Sequence, residues 1–292
     1  MRDLPLSGGP LVLDGGLSTQ LAAQGCDLAD ELWTARLLAE DQDRLREAHA
    51  AYVRAGAQVV ITASYQASFE GFARRGVGRR AAARLFGDSV RLARAAGAPW
   101  VAASVGPYGA VLGGGGEYRG RYGLSVAALE RFHRPRVEAL VAAGPDLLAL
   151  ETVPDAVEAE ALLRAVRGCG VPVWLSYTAA GGLTRAGQPL GEAFAVAADR
   201  EEVVAVGVNC LAPDEVLGAV ATARAVTGRP AVAYPNSGEG WDAGRGRWTG
   251  ASGAGLIAGL APAWADAGAR LIGGCCRVGP GEIRELAAAL GR

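Results

Sequence analysis

The 292-residue sequence contains no lysine; all 29 of its basic residues are arginine. Chemistry that needs a primary amine is therefore excluded, including Schiff-base catalysis, pyridoxal phosphate anchoring and a P-loop lysine. Histidine is scarce as well. His49 and His133 both fall in helix-like stretches, which argues against a histidine base or a histidine metal cluster. Excess charge is missing: 30 acidic residues against 29 basic ones leave a net charge of -1. Nothing in that balance attracts nucleic acid or an anionic membrane surface. A membrane-spanning run is missing too, because the longest uncharged stretch, 95–116, is broken by Pro99, Pro107 and repeated glycines. No sustained apolar segment follows the N-terminus as a secretory signal would require. Five cysteines at irregular spacings do not make a secreted disulfide framework, so a reducing, cytoplasmic setting is expected.

What is present is a core. Hydrophobic residues make up 50% and charged residues 20%, a composition that folds. Short apolar, β-branched runs begin near Leu11, Val59, Trp100, Leu147, Val171, Val204, Ala231 and Leu271, on average about 37 residues apart. Helical patterns lie between them. In 155–167, Val157, Ala161, Leu162, Ala165 and Val166 share one face while Glu158, Arg164 and Arg167 point elsewhere. The segments Ala55-Gly56-Ala57, Ala96-Gly97-Ala98, Ala143-Gly144-Pro145 and Ala267-Gly268-Ala269 read as helix ends closed by glycine. Links from helix to strand are short, whereas those after strands 1, 2, 3 and 7 are long and rich in Gly, Tyr, Trp and acidic residues. Elaboration on one face predicts a (β/α)8 barrel of the TIM type, with its site at the C-terminal ends of the strands. No linker interrupts the pattern, so residues 1–292 are expected to form one domain. A doubly wound open sheet is the alternative, since periodicity alone does not show closure.

The strand ends supply the functional shortlist. They carry Asp14-Gly15-Gly16, Tyr65-Gln66, Glu151-Thr152, Asn209-Cys210, Tyr234-Pro235-Asn236 and Gly274-Cys275-Cys276. Cys210, Cys275 and Cys276 thus meet at the mouth, on strands 6 and 8. A catalytic zinc takes three protein ligands and keeps its fourth position open, and three thiolates meet that need. The competing reading is that Cys210 and Cys275 are small buried hydrophobes. Cys26 and Cys169 have no partner in the pattern and read as plain thiols. Asp14 and Glu151 could serve as an acid/base pair for glycoside hydrolysis, although three thiols have no task in such an enzyme. Asp14 also suits a turn before Gly15-Gly16.

Several motifs together resemble the homocysteine S-methyltransferases over nearly the whole chain. They are Asp14-Gly15-Gly16, Leu28-Ala29-Asp30-Glu31-Leu32-Trp33, Ile61-Thr62-Ala63-Ser64-Tyr65-Gln66-Ala67-Ser68 and Ser104-Val105-Gly106-Pro107-Tyr108-Gly109-Ala110. Glu117-Tyr118-Arg119-Gly120, Tyr234-Pro235-Asn236-Ser237-Gly238-Glu239 and Gly273-Gly274-Cys275-Cys276-Arg277 complete the set. The run Gly113 to Gly116 departs from the family pattern; it reads as a mobile loop, or as a phosphate cradle that lacks its basic partner.

The resemblance is closest to the short bacterial and plant members and implies a zinc barrel that methylates homocysteine to methionine. It implies that Asp14 and Glu151 bind the α-ammonium of homocysteine, with Gly15, Tyr65, Asn209 and Asn236 as further substrate-binding positions. A sulfonium donor is expected, S-methylmethionine first and S-adenosylmethionine second. One barrel consumes the chain and leaves no module for cobalamin, while betaine users of the family carry a longer C-terminal extension. The sulfonium leaves as a neutral thioether, so no general acid is expected. Tyr65, Tyr108, Tyr118, Tyr122, Trp241 and Trp248 could face the cationic donor or simply pack as a lid, and Glu239 or Asp242 could balance its second positive charge. Selenocysteine or another thiol remains an alternative acceptor. A zinc- or thiol-binding barrel without turnover is the competing class; the open fourth zinc position favours an enzyme.

Overall fold

In the computed structural model, which describes residues 4–28, 33–242, 247–249 and 255–292, eight parallel strands alternate with helices. The strands are β1 (Leu11–Val12), β2 (Val59–Ile61), β3 (Trp100–Val105), β4 (Leu147–Val153), β5 (Val173–Tyr177), β6 (Val203–Asn209), β7 (Ala231–Tyr234) and β8 (Ala269–Ile272). Each pairs with its neighbours in sequence, and β8 pairs with β1. A parallel bridge from Leu13 to Val59 joins β1 to β2 and closes the ring. Closure decides for the barrel over the open sheet. The observed strand starts lie within two residues of those expected from the apolar runs.

Alternation of side chains along each strand builds two cores. Leu11, Leu13, Val59, Ala102, Leu147, Ala149, Trp174, Ala205, Val232 and Leu271 fill the barrel interior. Their outward neighbours, among them Val12, Val60, Val101, Leu148, Leu150, Leu175 and Val206, pack against the surrounding helices. The helix expected over 155–167 spans Ala156–Val166, with the Asp155 side chain accepting the Val157 N–H at 2.9 Å as N-cap. Gly56, Gly97, Gly144 and Gly268 have φ of +105, +88, +70 and +108°, the left-handed stops expected from the sequence.

The inward parity that makes Leu147 and Ala149 core residues also points Glu151 into the barrel at its C-terminal end. Ser104 on β3, Ser176 on β5, Asn209 on β6 and Tyr234 on β7 follow the same rule and form a polar tier above the apolar core. Each of these five side chains is buried. Among the described residues, no helix is long and apolar enough to cross a membrane.

Candidate active site

A cleft of about 100 Å³ opens at the C-terminal ends of the strands. Asp14, Gly15, Tyr65, Glu151, Cys210, Cys275 and Cys276 all line it. The loop after β1 passes close against the loop after β8. A Cβ on Gly15 would collide with the Val278 carbonyl, and one on Gly16 with the Cys275 carbonyl, so only glycine allows this approach. The Tyr52 hydroxyl staples the two loops, lying 2.8 Å from the Gly16 carbonyl oxygen and 3.0 Å from that of Val278.

Loops after β6, β7 and β8 place the three cysteines. Cys210 N–H donates to the Tyr234 carbonyl at 3.2 Å and Cys275 N–H to the Pro235 carbonyl at 2.7 Å. Asn236 Oδ1 accepts the Cys276 N–H at 3.1 Å. Asn236 therefore shapes the cysteine loop and is not among the residues lining the cleft. Cys210 and Cys275 are paired as a disulfide, with their Cα atoms 5.7 Å apart, while Cys276 is a free thiol. All three sulfurs lie within 4.8 Å of one another, and Cys276 Sγ is 3.9 Å from Cys210 Sγ. A tetrahedron with Zn–S bonds of ~2.3 Å has edges of ~3.8 Å, so the reduced cluster has the donor chemistry and spacing for zinc. Pairing Cys210 with Cys275 consumes two of the three ligands, so disulfide and metal are alternative states of one cluster. Burial pushes the Cys276 thiol up to about 11, against a lowering hydrogen bond from Tyr118. Such a thiol stays protonated at neutral pH unless a cation draws the proton off.

Facing the sulfurs are two buried carboxylates. Asp14 Oδ2 accepts the Ile61 N–H at 2.9 Å, and Asp14 Oδ1 is buried without a partner. Burial raises its pKa well above the usual carboxylate range against the Ile61 bond, and the charge of Glu151 adds to the rise. Glu151 accepts from Ser104 Oγ on one oxygen and from the Tyr234 hydroxyl on the other, the latter at 3.1 Å. Burial still pushes its carboxyl up to about 7. Two desolvated carboxylates with an orphan oxygen are suited to receive a hydrogen-bonding cation. Three thiols beside them have no task in a glycosidase.

Tyr65 and Tyr118 line the cleft, the two of the six expected aromatics to do so among the described side chains. Tyr118 also carries the Arg185 guanidinium over its ring at 5.5 Å. Tyr108 instead packs edge-on against Phe132 and Tyr122, and the Tyr122 hydroxyl donates to the Gly116 carbonyl at 3.0 Å. Gly113, Gly114 and Gly115 form a left-handed turn that sets Gly116 against Gly109.

The side chains of Trp241, Asp242 and Trp248 lie outside the described part of the structure, as do residues 29–32 of the first-loop motif. Glu239 is not among the residues lining the cleft. Its carboxylate accepts from Arg277 Nε at 2.9 Å and from an Arg277 terminal nitrogen at 3.2 Å, and from Ser237 Oγ at 2.9 Å. This bidentate pair holds the Glu239 carboxylate against Arg277.

Asn209 is fully buried inside the polar tier and is not among the cleft-lining residues. Sequence reading placed Thr152 and Tyr234 at the mouth without a role and missed Ser104 and Ser176 as supports of the site. Inward parity with Glu151 and Asn209 was the available signal for the two serines. His49 and His133 are both buried, and His133 Nε2 sits 2.8 Å from Glu158 Oε1, away from the cleft.

A (β/α)8 barrel with three convergent cysteines that could hold a metal ion, and two desolvated acids beside them at its C-terminal mouth, has the make-up of an enzyme site for a small molecule. The family model for homocysteine S-methyltransferase matches residues 11–290, and the chain belongs to that family. It is 46% identical to the homocysteine S-methyltransferase of Escherichia coli (strain K12), over 95% of this chain and 94% of the relative. It is 43% identical to homocysteine S-methyltransferase 4 of Zea mays, covering 97% and 90% of the two chains. Crystal structures of the Escherichia coli homocysteine methyltransferase MmuM superpose closely. The metallated form has a TM-score of 0.85 at 44% identity, covering 96% of both chains. The oxidized form has a TM-score of 0.88 at 43% identity, covering 98% of this chain and 99% of that one.

Proposed function

We propose that this chain, acting as one barrel over residues 1–292, transfers a methyl group from a sulfonium to the sulfur of homocysteine and releases methionine. The observation that carries the reading is the cluster of Cys210, Cys275 and Cys276 facing the unpartnered Asp14 Oδ1 and the Glu151 carboxylate across one cleft. Cys210, Cys275 and Cys276 would hold zinc, which when bound supplies a Lewis-acid position where a substrate thiol loses its proton near neutral pH.

Asp14 and Glu151 bind the α-ammonium of homocysteine and so aim its short side chain toward the cysteines. Ser104 and Tyr234 hold Glu151 in place for this contact. Tyr65 and Tyr118 wall the cleft, where aromatic rings favour a cationic donor. As the homocysteine sulfur attacks, a new S–CH3 bond forms and the old bond breaks. The electron pair of the broken bond stays on the donor sulfur. The thiol proton passes to solvent, and the leaving group is a neutral thioether. With S-methylmethionine as donor, both products are methionine. Thiols that must stay reduced suit a cytoplasmic setting.

The test is homocysteine-dependent methionine formation by reduced, zinc-loaded protein with S-methylmethionine, S-adenosylmethionine, betaine or methyltetrahydrofolate at equal concentration. Fastest turnover with S-methylmethionine is expected. Faster turnover with betaine or the folate defeats the donor assignment, and no methionine with any donor defeats the reading.

A further inference from the structure

Thr152 and Cys210 have φ of +57 and +53°, although neither is glycine. For a β-branched threonine this is a backbone outlier that the surroundings must enforce. The two residues follow Glu151 on β4 and Asn209 on β6, with β5 between them. One side chain spans that gap. Asn209 Oδ1 accepts the Thr152 N–H at 2.8 Å, and Asn209 Nδ2 donates to Thr152 Oγ1 at 2.7 Å. The same oxygen accepts from Ser176 Oγ on the intervening strand, also at 2.8 Å. Because a backbone N–H can only donate, the Thr152 contact fixes which end of the amide is oxygen.

We propose that Asn209 is a positioning residue: its amide pins the left-handed turn at Thr152 and so sets the Glu151 carboxylate at the correct place relative to Cys210. This rests on the functional reading above, and it replaces a direct substrate contact for Asn209. Both lone-pair positions of Oδ1 are occupied within the protein, and the residue is wholly buried. The amide therefore acts through the backbone of the next strand but one. Glu151 and Cys210 lie one residue from either end of the cross-link, so slack at Thr152 moves the ammonium acceptor against the sulfur cluster. Geometric errors of about an ångström at a reacting centre are costly.

The test uses glycine, which adopts φ > 0 without enforcement. Asn209→Ala, Thr152→Gly and the double variant are prepared as reduced, zinc-loaded proteins. Zinc content, thermal midpoint, kcat and KM for homocysteine are then measured. Asn209→Ala is expected to raise KM for homocysteine about tenfold with zinc retained, and Thr152→Gly, which loses Oγ1 but holds φ > 0 without the amide, to raise it by less. The double variant is expected to recover most of the KM lost in Asn209→Ala, a non-additivity that marks coupling between the two positions. A double variant no better than Asn209→Ala overturns the proposal. So does an Asn209→Ala protein with a lowered midpoint and unchanged kinetics. Should Asn209→Ala fail to fold, recovery of folded, saturable enzyme in the double variant supports the proposal, and a misfolded double variant overturns it. A parent protein that makes no methionine defeats the functional reading instead, and is distinguishable from all these results.

Discussion

The Tyr234 hydroxyl donates to Glu151 Oε2 at 3.1 Å while accepting from Trp174 Nε1, also at 3.1 Å. The phenol thus links the apolar floor of the barrel to the carboxylate at its mouth. Tyr234→Phe removes a donor to Glu151 and orphans the indole N–H. Losing one such bond is worth on the order of 1 kcal/mol, so KM for homocysteine should rise roughly fivefold, with some loss of stability. Unchanged KM in steady-state kinetics would show that Tyr234 serves the core alone.

Glu151→Gln is expected to weaken homocysteine binding much more, because it removes a charged acceptor. Charge-assisted bonds are worth about 1.5–3 kcal/mol, which corresponds to roughly 10- to 150-fold in KM. Zinc should remain at parent stoichiometry; its loss would make Glu151 a ligand or a support of the cluster. With the parent carboxyl pushed up to about 7, protonation on the acid side cancels its attraction for the ammonium. Accordingly kcat/KM for homocysteine should fall as pH drops below about 7, and a profile flat from pH 8 to pH 6 would contradict the assignment.

Reduced protein is expected to contain one zinc per chain by elemental analysis. Cys276→Ser should lose most of it, leaving only two thiolates. Diamide should release zinc from the parent by pairing Cys210 with Cys275, and dithiothreitol with added zinc should restore it. Full zinc content in the serine variant would remove Cys276 from the ligand set.

His49 is fully buried and both ring nitrogens lack a partner, so burial lowers its pKa to about 4. The unfolded chain takes up this proton near the ordinary value of 6.5. Between pH 6.5 and 4 the unfolded state therefore holds more protons, and stability falls as pH falls, by about 3 kcal/mol in all. Raised carboxylates such as Asp14 and Glu151 contribute with the opposite sign, so the effect is read as a difference. Urea unfolding of the parent and of His49→Leu at pH 7 and pH 4.5 should show the parent losing more stability. Equal losses would disprove the assignment.

Much of this was legible in one dimension. The eight apolar runs marked the strands because a strand covered on both faces has to be apolar, and the Ala-Gly pairs marked helix ends because glycine tolerates φ > 0. Cys210, Cys275 and Cys276 were identifiable as a cluster because a barrel gathers its strand ends on one face. The roles of Asn209, Asn236 and Glu239 were not legible. Each sits in a motif at the mouth, but hydrogen bonds to Thr152, Cys276 N–H and Arg277 occupy them, and those partners lie 57, 40 and 38 residues away.

The sequence by itself determined which residues reach the mouth, since periodicity and strand ends follow from local backbone geometry. Only the tertiary structure decided which of them face the cleft and which brace it. That choice depends on side-chain direction at a closed barrel end, where distant loops supply the partners. Asp14 Oδ1 is left free and buried, whereas the Asn209 amide is claimed by β4 and β5. Burial makes an unmet donor or acceptor expensive, so the groups the protein leaves unpaired mark where a ligand is to complete the bonding.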